Sequence, residues 1–163
     1  MPIILSKAPQ ATLLLRNYNT VPTYKAALDQ RIQELHLQAH IRWISQVEPW
    51  EKVVQIYQVA DIALSTPLSD GTPVAVLEAM ACGLPVVASD LPSLREWITD
   101  GQNGFLVPCQ DAPTLAQAVL KLIESPILCE QFRQRNLEVV KTRANHQVEM
   151  IKMEKLYFEL LTA

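Results

Sequence analysis

Five short apolar runs, separated by stretches with helical spacing, constrain the fold of this chain more than any other feature. The runs cover residues 11–15, 41–44, 61–65, 85–88 and 104–107. The stretches with helical spacing cover residues 23–37, 50–59, 74–81, 93–98, 111–123, 127–141 and 145–161. Short apolar strands that alternate with helices form βαβ units. The pattern therefore predicts an α/β fold with a doubly wound parallel sheet, covered on both faces, and extra helices at the C-terminal end.

Composition and charge exclude several classes of protein. Apolar residues make up 49% of the chain and charged residues 19%, which is typical of a globular domain. The net charge of −3 comes without a basic stripe, so we expect neither a nucleic-acid partner nor binding to an anionic membrane surface. No apolar run approaches the roughly 20 residues that a membrane span requires. Three cysteines without paired spacing argue against a disulfide framework and favour a cytoplasmic location.

Residues 70–87 contain the densest set of chemically informative positions. Two carboxylates, Asp70 and Glu78, flank a turn that opens a helix, and the helix closes on Gly83. All four glycines of the chain lie between residues 71 and 104, so the most constrained backbone lies there. This turn follows a predicted strand, and ligands of open α/β sheets bind beyond the carboxyl ends of the strands. We therefore expect the functional site here.

The start of this helix predicts an anion or hydroxyl site. The first amides of a helix lack internal partners, and the helix dipole adds partial positive charge there. A diphosphate or a sugar hydroxyl fits such an end. Because Pro73 has no N–H, the amides of Thr72, Val74 and Ala75 would have to serve. Glu78 lies about a turn and a half further on, where its carboxylate can accept hydrogen bonds from two adjacent ribose hydroxyls.

The two carboxylates also permit a simpler interpretation. Asp70, in the loop, can bind a hydroxyl of a transferred sugar, but an aspartate before a helix can equally serve as its N-cap. Glu78 can equally be a solvated helix residue. The carboxylates alone leave both interpretations open.

The order of residues across this region resembles the nucleotide-sugar site of the retaining GT-B glycosyltransferases, the group 1 glycosyl transferase family. An acidic residue, seven residues and Glu78 are followed by Ala-Met-Ala-Cys-Gly-Leu-Pro-Val-Val. Residues 57–65, 89–96 and 100–108 also resemble the family in order and spacing. The resemblance covers about residues 11–125, which makes it more specific than a single motif.

The resemblance implies a fold and an activity. The fold would be the Rossmann-like C-terminal half of a GT-B enzyme, with residues 1–163 as one nucleotide-sugar-binding domain, a core over about 11–125 and a helical tail over 126–163. The activity would be that of a glycosyltransferase (a hexosyltransferase) that moves a sugar from a UDP-, GDP- or ADP-linked donor with retention of configuration. Neither a cofactor nor a metal ion would be needed.

The resemblance also assigns roles to individual residues. Asp70 and Glu78 would be the catalytic pair, with Asp70 on the donor sugar and Glu78 on the ribose. The remaining donor-binding residues would be Gly71, Thr72, Val74, Ala75, Gln46, Val47 and Arg16. Of these, the 71–75 segment would meet the diphosphate or sugar, and the 45–47 loop would border the base. Arg16 is added from its position and not from the resemblance, since the family usually has a glycine-rich loop there. At the C-terminal end of the first predicted strand it would face the cleft and meet phosphate, but a solvated surface arginine is the simpler interpretation.

Some family features have no counterpart in these residues. An N-terminal acceptor domain is absent, and so is the opening strand whose region carries a diphosphate-binding Arg and Lys. We therefore expect a fragment or truncated product that is inactive by itself. The family position of Asp70 usually holds Glu, and Pro92 and Ser93 replace a pair of glycines.

Other functions remain open on the sequence. The chain could be a non-catalytic nucleotide- or sugar-binding module, or part of another GT-B enzyme such as a sugar epimerase. A flavodoxin- or receiver-like domain would need an acidic cluster at the early strand ends, which residues 1–45 lack. The spacing of apolar residues in the last helical stretch, residues 145–161, predicts an amphipathic helix, and we expect it to pack on its own domain. The resemblance offers an alternative, because in GT-B folds the final helix can cross to the other domain and leave an apolar stripe exposed.

Overall fold

The computed structural model describes residues 1–16, 21–44 and 50–162, without the side chains of residues 50 and 51. The strands are β1 (Leu13–Arg16), β2 (Ile41–Ile44), β3 (Ala63–Ser65), β4 (Val86–Ser89) and β5 (Gly104–Val107). The helices are α1 (Pro2–Leu5), α2 (Pro22–Glu34), α3 (Trp50–Gln58), α4 (Val74–Ala81), α5 (Pro92–Arg95), α6 (Ala112–Glu124), α7 (Pro126–Arg143) and α8 (His146–Thr162). A short 3₁₀ turn, Gln38–His40, precedes β2.

The described strands pair only in parallel, which confirms the predicted fold class. β1 pairs with β2, and β4 lies between β3 and β5 with Val86 opposite both Ala63 and Gly104. The hydrogen bonds form a two-stranded sheet and a three-stranded sheet rather than one continuous ladder. Every crossover between paired strands passes through a helix, as parallel pairing requires.

The core is built around β4, whose four residues are all buried. Val87 packs on one face with residues of α1, α6 and α7. Val86 and Ala88 pack on the other face with residues of α4. Burial on both faces explains why this strand is continuously apolar in the sequence instead of alternating.

The core extends beyond residues 11–125. Ile4 and Ala8 belong to it on the N-terminal side. On the C-terminal side, α7 contributes Phe132, which meets Phe105 edge to face at 5.3 Å between ring centroids. Helix α7 also packs closely against α4. The first of the two tail helices is therefore part of the domain core.

Helix α8 does not pack on the domain, so that prediction was wrong. None of its residues is buried, and nine large apolar side chains are between 44% and 82% exposed. These are Val148, Met150, Ile151, Met153, Leu156, Tyr157, Phe158, Leu160 and Leu161. They lie around the whole helix rather than along one stripe, so no single face could bury them against the domain.

Helix α2 ends at Glu34, three residues earlier than the apolar spacing suggests. His36 has φ +52°, and the Leu37 N–H donates to the Ile32 carbonyl at 2.9 Å, which together form a Schellman motif. Among the described helices, none is both long and apolar enough to cross a membrane.

Candidate functional site

The loop from residue 66 to residue 73 carries the chain from the carboxyl end of β3 into α4. The Val76 and Leu77 N–H groups both donate to the Pro73 carbonyl at 3.0 Å, and the Val74 N–H donates to the Thr72 carbonyl at 2.8 Å. The Ala75 N–H makes no hydrogen bond within the described residues. Of the amides expected to face a ligand, that of Val74 is therefore already engaged by the backbone.

Asp70 does not cap α4. The N-cap position is Pro73, and no side chain accepts a hydrogen bond from the first turn. The N-cap alternative is therefore excluded here, because the backbone turn at Pro73 takes over that role. Asp70 lies partly exposed in the loop.

The opposite end of α4 is closed by Gly83, as the sequence predicts. Gly83 has φ +77°, and the Gly83 and Leu84 N–H groups donate to the Met80 and Ala79 carbonyls at 2.9 and 3.0 Å. This Schellman motif favours glycine at the left-handed position. A Cβ on Gly83 would lie 3.0 Å from Cγ of Arg133 in α7, so α7 closely covers the helix end.

Glu78 is held by a tyrosine from a different helix. The Tyr57 hydroxyl, on α3, donates to Glu78 Oε2 at 2.9 Å and lies 3.3 Å from the Ala75 carbonyl oxygen. No described residue donates a hydrogen bond to Glu78 Oε1. Glu78 is half-buried, whereas its helix neighbours Val76, Ala79 and Met80 are fully buried against β4.

Electrostatics at this site keep both neighbours of Glu78 protonated. Burial, followed by the hydrogen bond to Glu78 and its negative charge, raises the pKa of Tyr57. The positive charge of Arg16, the last residue of β1, lowers the pKa of Tyr57 by a smaller amount than burial and Glu78 raise it. Burial, and then the charge of Glu78, raises the pKa of Cys82. The region therefore contains the Glu78 carboxylate together with two protonated groups, Tyr57 and Cys82, and one cation, Arg16.

A pair of asparagines holds the segment that follows α4. Asn136 in α7 donates to the Leu84 carbonyl at 2.8 Å and accepts from Asn103 Nδ2 at 3.0 Å. Asn103 in turn accepts from the Thr99 N–H and donates to the Trp97 carbonyl. These bonds tie α7, the end of α4 and the turn before β5 into one unit.

The remaining predicted site residues differ in how far the structure describes them. Gln46 and Val47 lie outside the described residues. Gly71 and Thr72 are exposed in the loop, and a Cβ on Gly71 would meet nothing within 4 Å. Within residues 1–16, 21–44 and 50–162, no three His, Cys, Asp or Glu side chains cluster in a way that could hold a metal ion.

Comparison with known proteins identifies the family. Residues 22–139, well over half of the chain, match the family described as glycosyl transferases group 1. The chain belongs to this family. A phosphatidyl-myo-inositol mannosyltransferase of Mycobacterium leprae is 32% identical over 134 residues, which is 82% of this chain and 35% of that protein. The chain thus spans about a third of the length of the curated relatives it matches.

Solved structures show the same group 1 fold. A sucrose-phosphate synthase of Thermosynechococcus elongatus superposes with a TM-score of 0.89 over 98% of this chain and 41% of its own, at 26% identity. HepE of Anabaena, solved in complex with UDP, superposes with a TM-score of 0.82 over 99% of this chain and 44% of its own, at 21% identity. The described helices and strands are therefore those of a GT-B C-terminal domain.

Two contacts of this group 1 domain could not be found in the sequence. Tyr57 stands in a segment that resembles the family, but the sequence marks it only as an apolar helix residue. Asn136 stands in a polar helix where nothing distinguishes it from its exposed neighbours. A buried polar residue gives no periodic signal, and both partners are distant along the chain.

Proposed function

We propose that this chain is the donor-binding domain of a retaining glycosyltransferase that takes its sugar from a nucleoside diphosphate. In this proposal Glu78 binds the ribose and Asp70 binds the transferred sugar. The amides at Thr72 and Ala75 meet the diphosphate or sugar, and Arg16 contributes positive charge. The observation that carries the proposal is the state of Glu78, whose Oε1 accepts no hydrogen bond from the described residues while Tyr57 holds Oε2.

The chemistry follows from this arrangement. The departing diphosphate gains negative charge as the bond from the sugar to the diphosphate breaks. Helix-start amides and Arg16 favour that charge, and carboxylates on the sugar and ribose fix the donor's orientation. The proposal needs neither a protein nucleophile nor a metal ion. Membership of the family supports it, since the relatives are named as sugar transferases.

The partners and the location are part of the same proposal. We infer that the acceptor-binding site and the rest of the active site are formed by polypeptide outside these 163 residues, since the relatives are about three times longer. The cytoplasmic location remains a prediction from the odd number of cysteines and the absence of paired spacing between them.

The decisive experiment is calorimetric titration of the chain with UDP, GDP and ADP, in the presence of EDTA. We expect saturable binding of one diphosphate, and at least tenfold weaker binding after Glu78→Ala, because a charged hydrogen-bond acceptor on the ribose is lost. UDP is the first ligand to test, since HepE, which shares this fold, binds it.

The control is Glu138→Ala, which removes an exposed carboxylate from α7 and should leave the affinity unchanged. If no diphosphate binds at millimolar concentration, this chain alone is not a donor site. If binding is tight but the whole protein transfers no sugar, the chain is a non-catalytic binding module. The same titrations are repeated without EDTA, and binding that occurs only without EDTA would contradict the metal-independent mechanism.

A further inference from the structure

We propose that Tyr57 is a positioning residue that makes the site selective for a ribose with both of its hydroxyls, and that it acts by orienting Glu78. This inference rests on the proposed function, in which Glu78 binds the ribose. It adds a residue from another helix, α3, to the determinants of nucleotide specificity.

The ring of Tyr57 is anchored by the core. It is half-buried and packs against the cluster that contains Val76, Met80 and Leu84. An anchored ring fixes the position of its hydroxyl, because tyrosine has only two side-chain torsions to restrict. The hydroxyl oxygen therefore presents its proton at a defined point beside α4.

The proton of Tyr57 has one preferred acceptor. A phenol donates a single hydrogen bond, and the choice lies between Glu78 Oε2 at 2.9 Å and the Ala75 carbonyl oxygen at 3.3 Å. The carboxylate is both closer and charged, so it is the stronger acceptor. The raised pKa of Tyr57 keeps its hydroxyl protonated throughout the physiological pH range, so the hydroxyl remains available as a donor.

The hydrogen bond from Tyr57 to Oε2 also determines the direction in which Oε1 can accept hydrogen bonds. Glu78 has three side-chain torsions, and without a partner its carboxylate would sample several directions above the helix. With Oε2 held, Oε1 and the remaining lone pair of Oε2 have fixed directions. The two neighbouring hydroxyls of a ribose can donate to these two acceptor positions. Because the Glu78 side chain is already ordered before the ribose binds, binding does not incur the entropy cost of ordering it.

The test compares a nucleoside diphosphate with an analogue that lacks both ribose hydroxyls. The diphosphate that binds most tightly among UDP, GDP and ADP and its 2′,3′-dideoxy form are titrated separately into the wild type and into Tyr57→Phe. The ratio of the two dissociation constants is the measured selectivity. We expect the wild type to favour the ribose form by about 30-fold and Tyr57→Phe to reduce that ratio about tenfold, or about 1.4 kcal/mol. Affinity for the dideoxy form should stay the same.

Glu78→Gln and the double variant show whether Tyr57 acts through Glu78. If it does, adding Tyr57→Phe to Glu78→Gln changes the ratio no further. Tyr24→Phe removes a hydroxyl from a side chain that is 66% exposed and is the matched control. Thermal unfolding of each variant reports on folding separately.

The outcomes separate the two proposals. If the wild type binds none of the three diphosphates, the proposed function fails and this inference fails with it. If the wild type binds and selects the ribose form while Tyr57→Phe keeps the full ratio, only the inference on Tyr57 is overturned. If Tyr57→Phe weakens the binding of both ligand forms equally, Tyr57 contributes to packing alone, and the inference on Tyr57 is overturned as well.

Discussion

Asn136 has no exposed surface, yet its side chain is polar and lies deep inside the domain. Both ends of its amide are satisfied, one by the Leu84 carbonyl and one by Asn103. Buried polar groups are tolerated when they are hydrogen-bonded and are costly when they are not. Asn136 therefore links α7 to the segment that leaves α4, and that link stabilises the helix carrying Glu78.

We expect Asn136→Ala to lower the free energy of unfolding by about 2–3 kcal/mol, since it leaves the Leu84 carbonyl unpaired and opens a small cavity. Urea unfolding at neutral pH measures the change. Gln131→Ala, an exposed change in the same helix, controls for helix propensity. A loss no greater than that of the control would mean that the asparagine bridge does not stabilise the domain.

At the scale of single residues, the sequence was informative about some side chains and silent about others. The positions of Glu78 in α4 and of Gly83 at its end follow from local spacing, which one helical turn determines. Their partners, Tyr57 and Arg133, come from other helices. Such pairings depend on how the helices pack, and no local pattern encodes them.

At the scale of elements, α6 shows how much a local signal can determine. Asp111 stands directly before an apolar helical stretch, a position that predicts an N-cap. Its carboxylate accepts from the Thr114 N–H at 3.0 Å and from the Thr114 hydroxyl at 2.6 Å. These bonds lower the pKa of Asp111 from its ordinary value of 3.8. The structure confirms both the cap and the helix. The cap can be predicted from sequence because it involves only residues three positions apart.

The cap predicts a dependence of stability on pH. Because the pKa of Asp111 is lower in the folded state, its stabilising effect is complete above about pH 4 and is lost as the pH falls through the folded-state value. Asp111→Asn keeps an uncharged cap that cannot titrate. We expect the wild type to be the more stable of the two at pH 7 and the difference to shrink toward zero near pH 2.

Urea unfolding of both proteins between pH 2 and pH 7 measures this difference. Asp61→Asn, which removes an exposed carboxylate just before β3, controls for the loss of one negative charge. A difference between wild type and Asp111→Asn that stays constant over this range would show that the charged cap contributes nothing.

At the scale of the whole molecule, the two C-terminal helices differ in whether they pack on the rest of the domain. Helix α7 buries Phe132 and Asn136 and packs on α4, whereas α8 buries no residue. Both had been grouped as a tail after the core. Their lengths, 18 and 17 residues, are nearly the same, but α7 is the more polar of the two and α8 carries more large apolar side chains. Polarity alone would therefore favour burial of α8 rather than of α7, and only the packing shows the reverse.

We expect removal of residues 146–163 to change the free energy of unfolding by no more than about 0.5 kcal/mol, as for other changes at exposed positions. The matched control ends the chain at Ser125, which also removes α7 and should abolish cooperative unfolding because it exposes the core. Urea unfolding of the three chains makes the comparison. A loss above about 1 kcal/mol on removing α8 alone would mean that α8 packs on the domain after all.

The sequence by itself determined the parallel α/β class, the bounds of α4, the caps at Gly83 and Asp111, and the family. Each of these depends on residues that are neighbours in the chain or on motifs whose order is linear. The tertiary structure alone decided that Tyr57 meets Glu78 from 21 residues away, that Asn136 meets Leu84 from 52 residues away, and that α8 stays exposed. These features depend on which faces meet in the packed domain, and packing is a property of the whole chain.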